Sequence, residues 1–387
     1  ETDKTACEAL AEKARIIYKQ YPESEEIALR YAITLLILSN KQTELKEIEA
    51  TAEKLEKLQQ KFLESHDIAL QYAVILVNLS IKQTGLKERM ATTEKLEKLQ
   101  QKFQESHDIA LEYARILAIL STKQTGLKER MATAEKLEKL QQQFQKSHDI
   151  AEAFAATLLL LSFEQTGLKE RMATAEKLEK LQQQFQDSHD LALHYARILA
   201  ILSTKQTELV ELETTAEKLQ DLQQQFQESE EIAFIYSILL ASLFHHQTEL
   251  DERLQTTKII KKLYEEFSNF MLQNFDDLFF SNDNVCDSKK YMLFNFILRE
   301  GLLKNTKYAI LQKWTDRYKE DSSELKNLLS IYQIVQKIKY QLGLKDEYKN
   351  QVLKFGHYTK GSTLQIMLDQ EENEKKKSTF SVSGKTR

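Results

Sequence analysis

One spacing dominates this chain. The pair Gln-Thr recurs at Gln42, Gln83, Gln124, Gln165, Gln206 and Gln247, every step being 41 residues, and Phe62, Phe103, Phe144, Phe185, Phe226 and Phe267 keep the same step. A constant period of this length means a repeat architecture, in which one supersecondary unit stacks on copies of itself. Tyr21 stands one period before Phe62, so part of a seventh unit precedes the six.

The unit is a pair of helices. Only 8 Gly and 1 Pro occur in 387 residues, about 2% against roughly 12% in average proteins, so the turns of a β-rich fold have almost no raw material. In the unit beginning at Ser106, Ile109, Ala110, Tyr113, Ala114, Ile116, Leu117 and Leu120 fall at helical spacing over a wide face, as in a helix packed on several neighbours. This is helix A. Ser106 suits its N-cap, and Asp108 in the first turn favours the helix dipole. After Gln124-Thr125-Gly126 comes helix B, with Leu127, Met131, Ala134, Leu137, Leu140 and Phe144 on a narrower stripe. Such a pair cannot bury its apolar faces alone, and stacking identical neighbours solves that problem. The expected fold is all-α, a right-handed superhelical solenoid of helix-turn-helix repeats with a C-terminal helical cap.

Tyr113, Ile116, Leu117 and Leu120 follow the helix A spacing of the tetratricopeptide repeat family, and Pro22 sits where that family places its unit-closing proline. The chain resembles that family over about two thirds of its length. It departs from it in the 41-residue period, longer than the family's ~34, in Leu117 where the family has glycine, and in the lack of later counterparts of Pro22. A longer-helix variant describes it better. The resemblance implies that helix A lines a concave groove.

Helix B is nearly constant, Thr125 to Gln145 being identical to Thr166 to Gln186, whereas one stripe of helix A varies. Positions equivalent to 112, 115, 119 and 122 share one helical face and carry different side chains in successive units. From this stripe the candidate partner-binding residues are Asn78, Glu112, Arg115, Ile119, Thr122, Ala156, Leu160, Phe163, His194, Arg197, Ile201 and His245. A varied groove on a constant frame suits a peptide or protein partner, with Arg115 and Arg197 pairing with its acidic groups. Drift on a solvated face after recent duplication is the competing explanation, and identity of Tyr113 to Thr125 with Tyr195 to Thr207 fits it. Self-association is the third.

His66, His107, His148 and His189 recur in Ser-His-Asp. Successive copies lie one repeat apart, ~10 Å, too far to share a metal, and consecutive residues in a helix start cannot face one another as a catalytic triad. Helix capping is the reading here. His245 and His246 diverge by ~100° on a helix and make a poor metal pair. No metal, cofactor or catalytic residue is expected in the array.

Past Phe267 the period stops. The expected organisation is a solenoid over 1–273, a helical capping bundle over 274–343, and a tail over 344–387. In the tail, His357-Tyr358-Thr359 precedes Thr363-Leu364-Gln365-Ile366-Met367-Leu368, a pattern that resembles the opening of a bacterial domain family similar to ADP-ribosyltransferases. That resemblance implies a ribose contact for His357 and a nicotinamide pocket for Tyr358, in a recognition half of a larger effector whose catalytic part lies beyond Arg387. A flexible tail is the alternative.

With 54 basic and 59 acidic residues the net charge is −5, too balanced to favour nucleic acid or an anionic membrane. The longest apolar stretch, Ala151 to Phe163, contains Glu152 and is shorter than the ~18 residues of a membrane span. Cys7 and Cys286 match neither a disulfide framework nor a zinc spacing. The chain opens on Glu1 with no apolar leader, so a trimmed cytoplasmic protein is expected.

Overall fold

A computed structural model describes residues 2–280. The chain divides into two compact units, Glu1–Lys205 and Gln206–Arg387. Among the described residues the first holds α1 (Thr2–Gln20), α2 (Glu25–Ser39), α3 (Leu45–Lys61), α4 (His66–Lys82), α5 (Leu86–Lys102), α6 (His107–Ser121), α7 (Leu127–Gln143), α8 (His148–Glu164), α9 (Leu168–Gln184) and α10 (His189–Ser203). The second holds α11 (Leu209–Gln225), α12 (Glu230–His246) and α13 (Leu250–Phe280). Even-numbered helices are A and odd-numbered ones B. The fold is an all-α repeat solenoid, with no strand among the described residues.

Each helix A starts where its sequence says it should. The hydroxyls of Ser24, Ser65, Ser106, Ser147 and Ser188 accept from the backbone N–H three residues on, at 3.2–3.5 Å, meeting one orphan donor of each helix. The wide apolar face then disappears into the core: Ile109, Ala110, Tyr113, Ala114, Ile116, Leu117 and Leu120 are all buried. Burying a Leu or Ile side chain contributes about 1.5–3 kcal/mol. Two small residues per helix, such as Ala110 with Ala114 and Ala151 with Ala155, are fully buried and let neighbouring A helices approach closely.

In the first unit, the backbones of α2, α4, α6, α8 and α10 run side by side in series. Successive B helices stand farther apart and are bridged by long side chains: Lys95 holds Glu56 at 2.8 Å, Lys136 holds Glu97 at 2.7 Å and Lys177 holds Glu138 at 2.6 Å. The A layer is the closely spaced one, and we call it the inner layer. Beneath the first two bridges lie Tyr72 and Tyr113, buried on the intervening helix A, with Phe154 in that register beneath the third; burial, with the adjacent carboxylate second, pushes the two tyrosines up.

Helix B buries the centre of its expected stripe, Ala134, Leu137 and Leu140, but departs from it at Met131. Met131 is 43% exposed, as are Met90 and Met172 to similar degrees, while Arg130, Thr133, Ala134, Leu137, Leu140 and Gln141 are buried. Arg130 is buried in place of Met131 because polar groups at helix A ends have to be met. Arg130 reaches across two repeats. Its Nε donates to Ser121 O at 3.2 Å, one Nη to Gln124 O and the other to Leu160 O at 3.2 Å, and it pairs with Glu164. Arg171 does the same with Gln165 O at 2.8 Å, Ile201 O at 2.9 Å and Thr204 Oγ1 at 3.0 Å, and Arg89 with Gln83 O at 2.8 Å. A guanidinium suits this place because its fork satisfies several carbonyls at the negative ends of two helices. Burial holds the Arg171 guanidinium below its usual range.

The invariant Gln-Thr pairs have a task of their own. Each Gln side-chain oxygen accepts from a threonine nine residues on, in helix B: Thr51, Thr92, Thr133, Thr174 and Thr215 at 3.0 Å and Thr256 at 2.9 Å. The clamp fixes the A-to-B turn in both units. Thr133→Val keeps the shape and removes the donor to Gln124, so it is expected to destabilise the repeat by about 1–3 kcal/mol, the cost of an unmet buried acceptor. Urea unfolding of the variant against the parent measures this; a neutral result means the Gln124 carbonyl finds water.

In the second unit, α12 packs between α11 and α13. Burial, and Asp221 secondarily, push the Tyr236 hydroxyl up to about 12. α13 runs through the last periodic phenylalanine, yet Phe267 keeps non-helical angles (φ −114°, ψ 29°) and kinks it. Phe144 and Phe185 occupy the same register as C-caps with φ −112° and −120°. The periodic stop signal survives there as a bend. The expected bundle beyond Phe280 and the tail with His357 and Tyr358 lie outside the described residues.

Candidate partner-binding face

The variable stripe lies on the inner A layer. Phe163 is 51% exposed, and Ile33, Ile37 and Ile81 are 40%, 40% and 55% exposed. Asn78, Ile119, Ala156 and Leu160 are half-buried. Large apolar side chains thus stand in water on this face. Elsewhere on the stripe side chains are joined to one another: Asn78 Nδ2 donates to Asn40 Oδ1 at 2.9 Å, linking adjacent repeats.

Several expected contact residues are otherwise engaged. Glu112 is buried, 7% exposed, and Arg115 binds it at 2.7 Å, with Asp149 of the next repeat 3.9 Å away. Arg115 therefore answers acidic groups of its own chain first, and Glu112 is not available to a partner. Burial pushes the Glu112 carboxyl up, against the pull of Arg115. Ile201 is also buried, at 7% exposure, and its carbonyl accepts from Arg171. Thr122 is exposed, but its hydroxyl donates to Ile119 O at 2.8 Å. His194 is half-buried with its Nδ1 buried and unpartnered; burial first and the Arg197 charge second hold its imidazole below the usual range. Arg197 is exposed. The side chain of His245 lies outside the described ones.

The repeated histidines join repeats. His66 Nε2 is hydrogen-bonded to Ser106 Oγ at 2.6 Å, His107 to Ser147 at 2.9 Å and His148 to Ser188 at 2.6 Å. Each ring also meets the next phenylalanine edge-on, with centroids 5.7–5.9 Å apart. The N-cap serine of one repeat is thus held by the histidine of the one before. The common 41-residue step of Ser, His and Phe was the available signal; capping alone does not require the histidine.

Two other features have site-like chemistry. His148, Asp149 and Glu152 place ligand atoms within 4.8 Å of one another. They sit at the N-terminus of α8, whose positive end opposes a cation, with His148 Nε2 bonded to Ser188 and Arg115 beside Asp149. A cleft of about 290 Å³ between α3, α4 and α5 is lined by Glu49, Glu53, Glu56, Tyr72 and Glu88, and Lys95 already holds Glu56 there. No described helix is long and apolar enough to cross a membrane.

No protein-family model matches the chain, and no curated protein matches it. Among solved structures, one described as "Computational Design of Self-Assembling Cyclic Protein Homooligomers" is similar at 13% identity, covering 95% of this chain and 97% of that one, with a TM-score of 0.11. Similarity of that degree carries no argument about function.

Proposed function

We propose that the first unit is a non-catalytic interaction scaffold of tetratricopeptide-like type, which holds a peptide or partner protein along the inner face of its A helices. The observation that carries this reading is the set of exposed large apolar side chains, Ile33, Ile37, Ile81 and Phe163, on a layer whose frame is otherwise constant. Apolar anchors of this kind supply most of the energy at protein interfaces. Drift on a solvated face would favour polar substitutions there, and these four positions run against it. Arg197 adds an exposed cation at the rim of the same stripe.

The test is selection of binders from a random-peptide library on the full chain, followed by binding to an Ile119→Asp/Leu160→Asp variant. Peptides selected on the parent are expected to lose at least tenfold in affinity on the variant, corresponding to about 1.4 kcal/mol. Selected peptides that bind both forms equally would place the binding surface elsewhere.

A further inference from the structure

The inner face has two charged edges of opposite sign. Asp67, Asp108, Asp149 and Asp190 occupy the second position of successive A helices, and all are more than half exposed. Position 108 lies seven residues before 115, on the same helical face, and the 3.9 Å approach of Asp149 to Arg115 shows that the acidic row borders the stripe. At the other end of the A helices, Lys82, Lys123 and Lys205 are exposed, and the one acidic residue in that register between them, Glu164, is paired with Arg130. Between the edges runs the row of Ile37, Asn78, Ile119 and Leu160, one side chain per repeat.

The dimensions limit what fits across this row. Packed helices lie about 8–10 Å apart, so a partner must present an apolar side chain about every 10 Å. A β-strand repeats a face every ~6.6 Å and falls out of step. A polyproline helix repeats every ~9.3 Å, and an α-helix returns to the same face after seven residues, about 10.5 Å. Width separates these two. A helix A of 15 residues, like α6, spans about 22 Å between its charged ends. An α-helix, about 10–12 Å across with its side chains, covers about half of that width and turns one charged flank toward each edge, whereas a single extended chain is narrower and has no two separate flanks.

We infer that the occupant is an amphipathic α-helix of a partner protein, lying across the A helices with apolar residues at heptad spacing, lysines or arginines on the flank facing the aspartate row and glutamates on the flank facing the lysines. This rests on the reading that the A layer binds a partner, and charge complementarity of the two edges selects the occupant.

The probe is a labelled synthetic peptide of about 28 residues, long enough to cross four repeats as a helix, with leucines at a and d, lysines on one flank and glutamates on the other. Two control peptides keep the leucines and carry all-lysine or all-glutamate flanks. In fluorescence anisotropy with the full chain, the mixed peptide is expected to bind at least tenfold more tightly than either control and to gain helicity by circular dichroism. An Asp67→Lys/Asp108→Lys/Asp149→Lys variant should then prefer the all-glutamate peptide. Because those aspartates also support helix starts, a Lys82→Glu/Lys123→Glu variant tests the other edge independently and should prefer the all-lysine peptide. Equal binding of the three peptides, or edge variants that leave their order unchanged, overturns the inference. If that happens while Ile119→Asp/Leu160→Asp still abolishes binding, the inner face remains a binding surface and only the two-flanked helix falls. Failure of every peptide to bind overturns the helix proposal and leaves the library selection to judge the surface.

Discussion

Arg130→Ala is expected to cost about 3–5 kcal/mol, the range seen when one partner of a buried ion pair is removed. Arg130 is 7% exposed, so its loss strands Ser121 O, Gln124 O and Leu160 O together with the Glu164 carboxylate. The damage should be local. A repeat array gains stability from each unit and from its interfaces with its neighbours, so hydrogen exchange should accelerate in α6, α7 and α8 and much less in α2 and α3. Arg130→Met separates packing from donors: it keeps the apolar stem but none of the five N–H groups, and should recover only a minor part of the loss. If Arg130→Met proves as stable as the parent, the carbonyls are met by water and the bridging role assigned to the guanidinium is wrong.

The second large effect is expected at Leu117, 1% exposed at the centre of the A layer, where the tetratricopeptide pattern has glycine. Leu117→Gly removes a buried side chain, for about 2–5 kcal/mol by the behaviour of Leu-to-Ala changes, and adds about 1 kcal/mol for glycine in a helix interior. Leu117→Ala isolates the first contribution. Denaturant unfolding, with hydrogen exchange in α6 to resolve where the loss falls, measures both. A cost below 1 kcal/mol for Leu117→Gly would mean that the helices close over the gap, and that this chain's departure from the family pattern has little structural consequence.

Much of this architecture was legible without coordinates, for a definite reason. Each 41-residue unit repeats the same local instructions, so the N-cap serine, the wide apolar face of helix A and the turn after Gln124 appear six times over. The helices begin where those signals place them, at His107 after Ser106 and at Leu127 after Gly126. The candidate stripe was legible by the same comparison, since positions that vary on a constant frame stand out.

The stripe's accessibility was not legible. Glu112 and Arg115 differ in exposure although they are three residues apart on one face: the first is 7% exposed, and the second stays exposed while binding it. One position of the helix B face differs for a related reason: Met131 is more hydrophobic than Arg130, and apolar periodicity puts the methionine inside, while Ala134, Leu137 and Leu140 are buried as their spacing predicts. What reverses them is a set of carbonyl oxygens belonging to residues 6, 9 and 30 positions away, brought together by stacking. The His107–Ser147 bond spans 40 residues in the same manner. Periodicity and capping are local preferences and are written in each unit of the chain. Which polar groups are met, and which side chains remain in water, depends on where neighbouring helix ends fall, and those positions exist only once the units have packed.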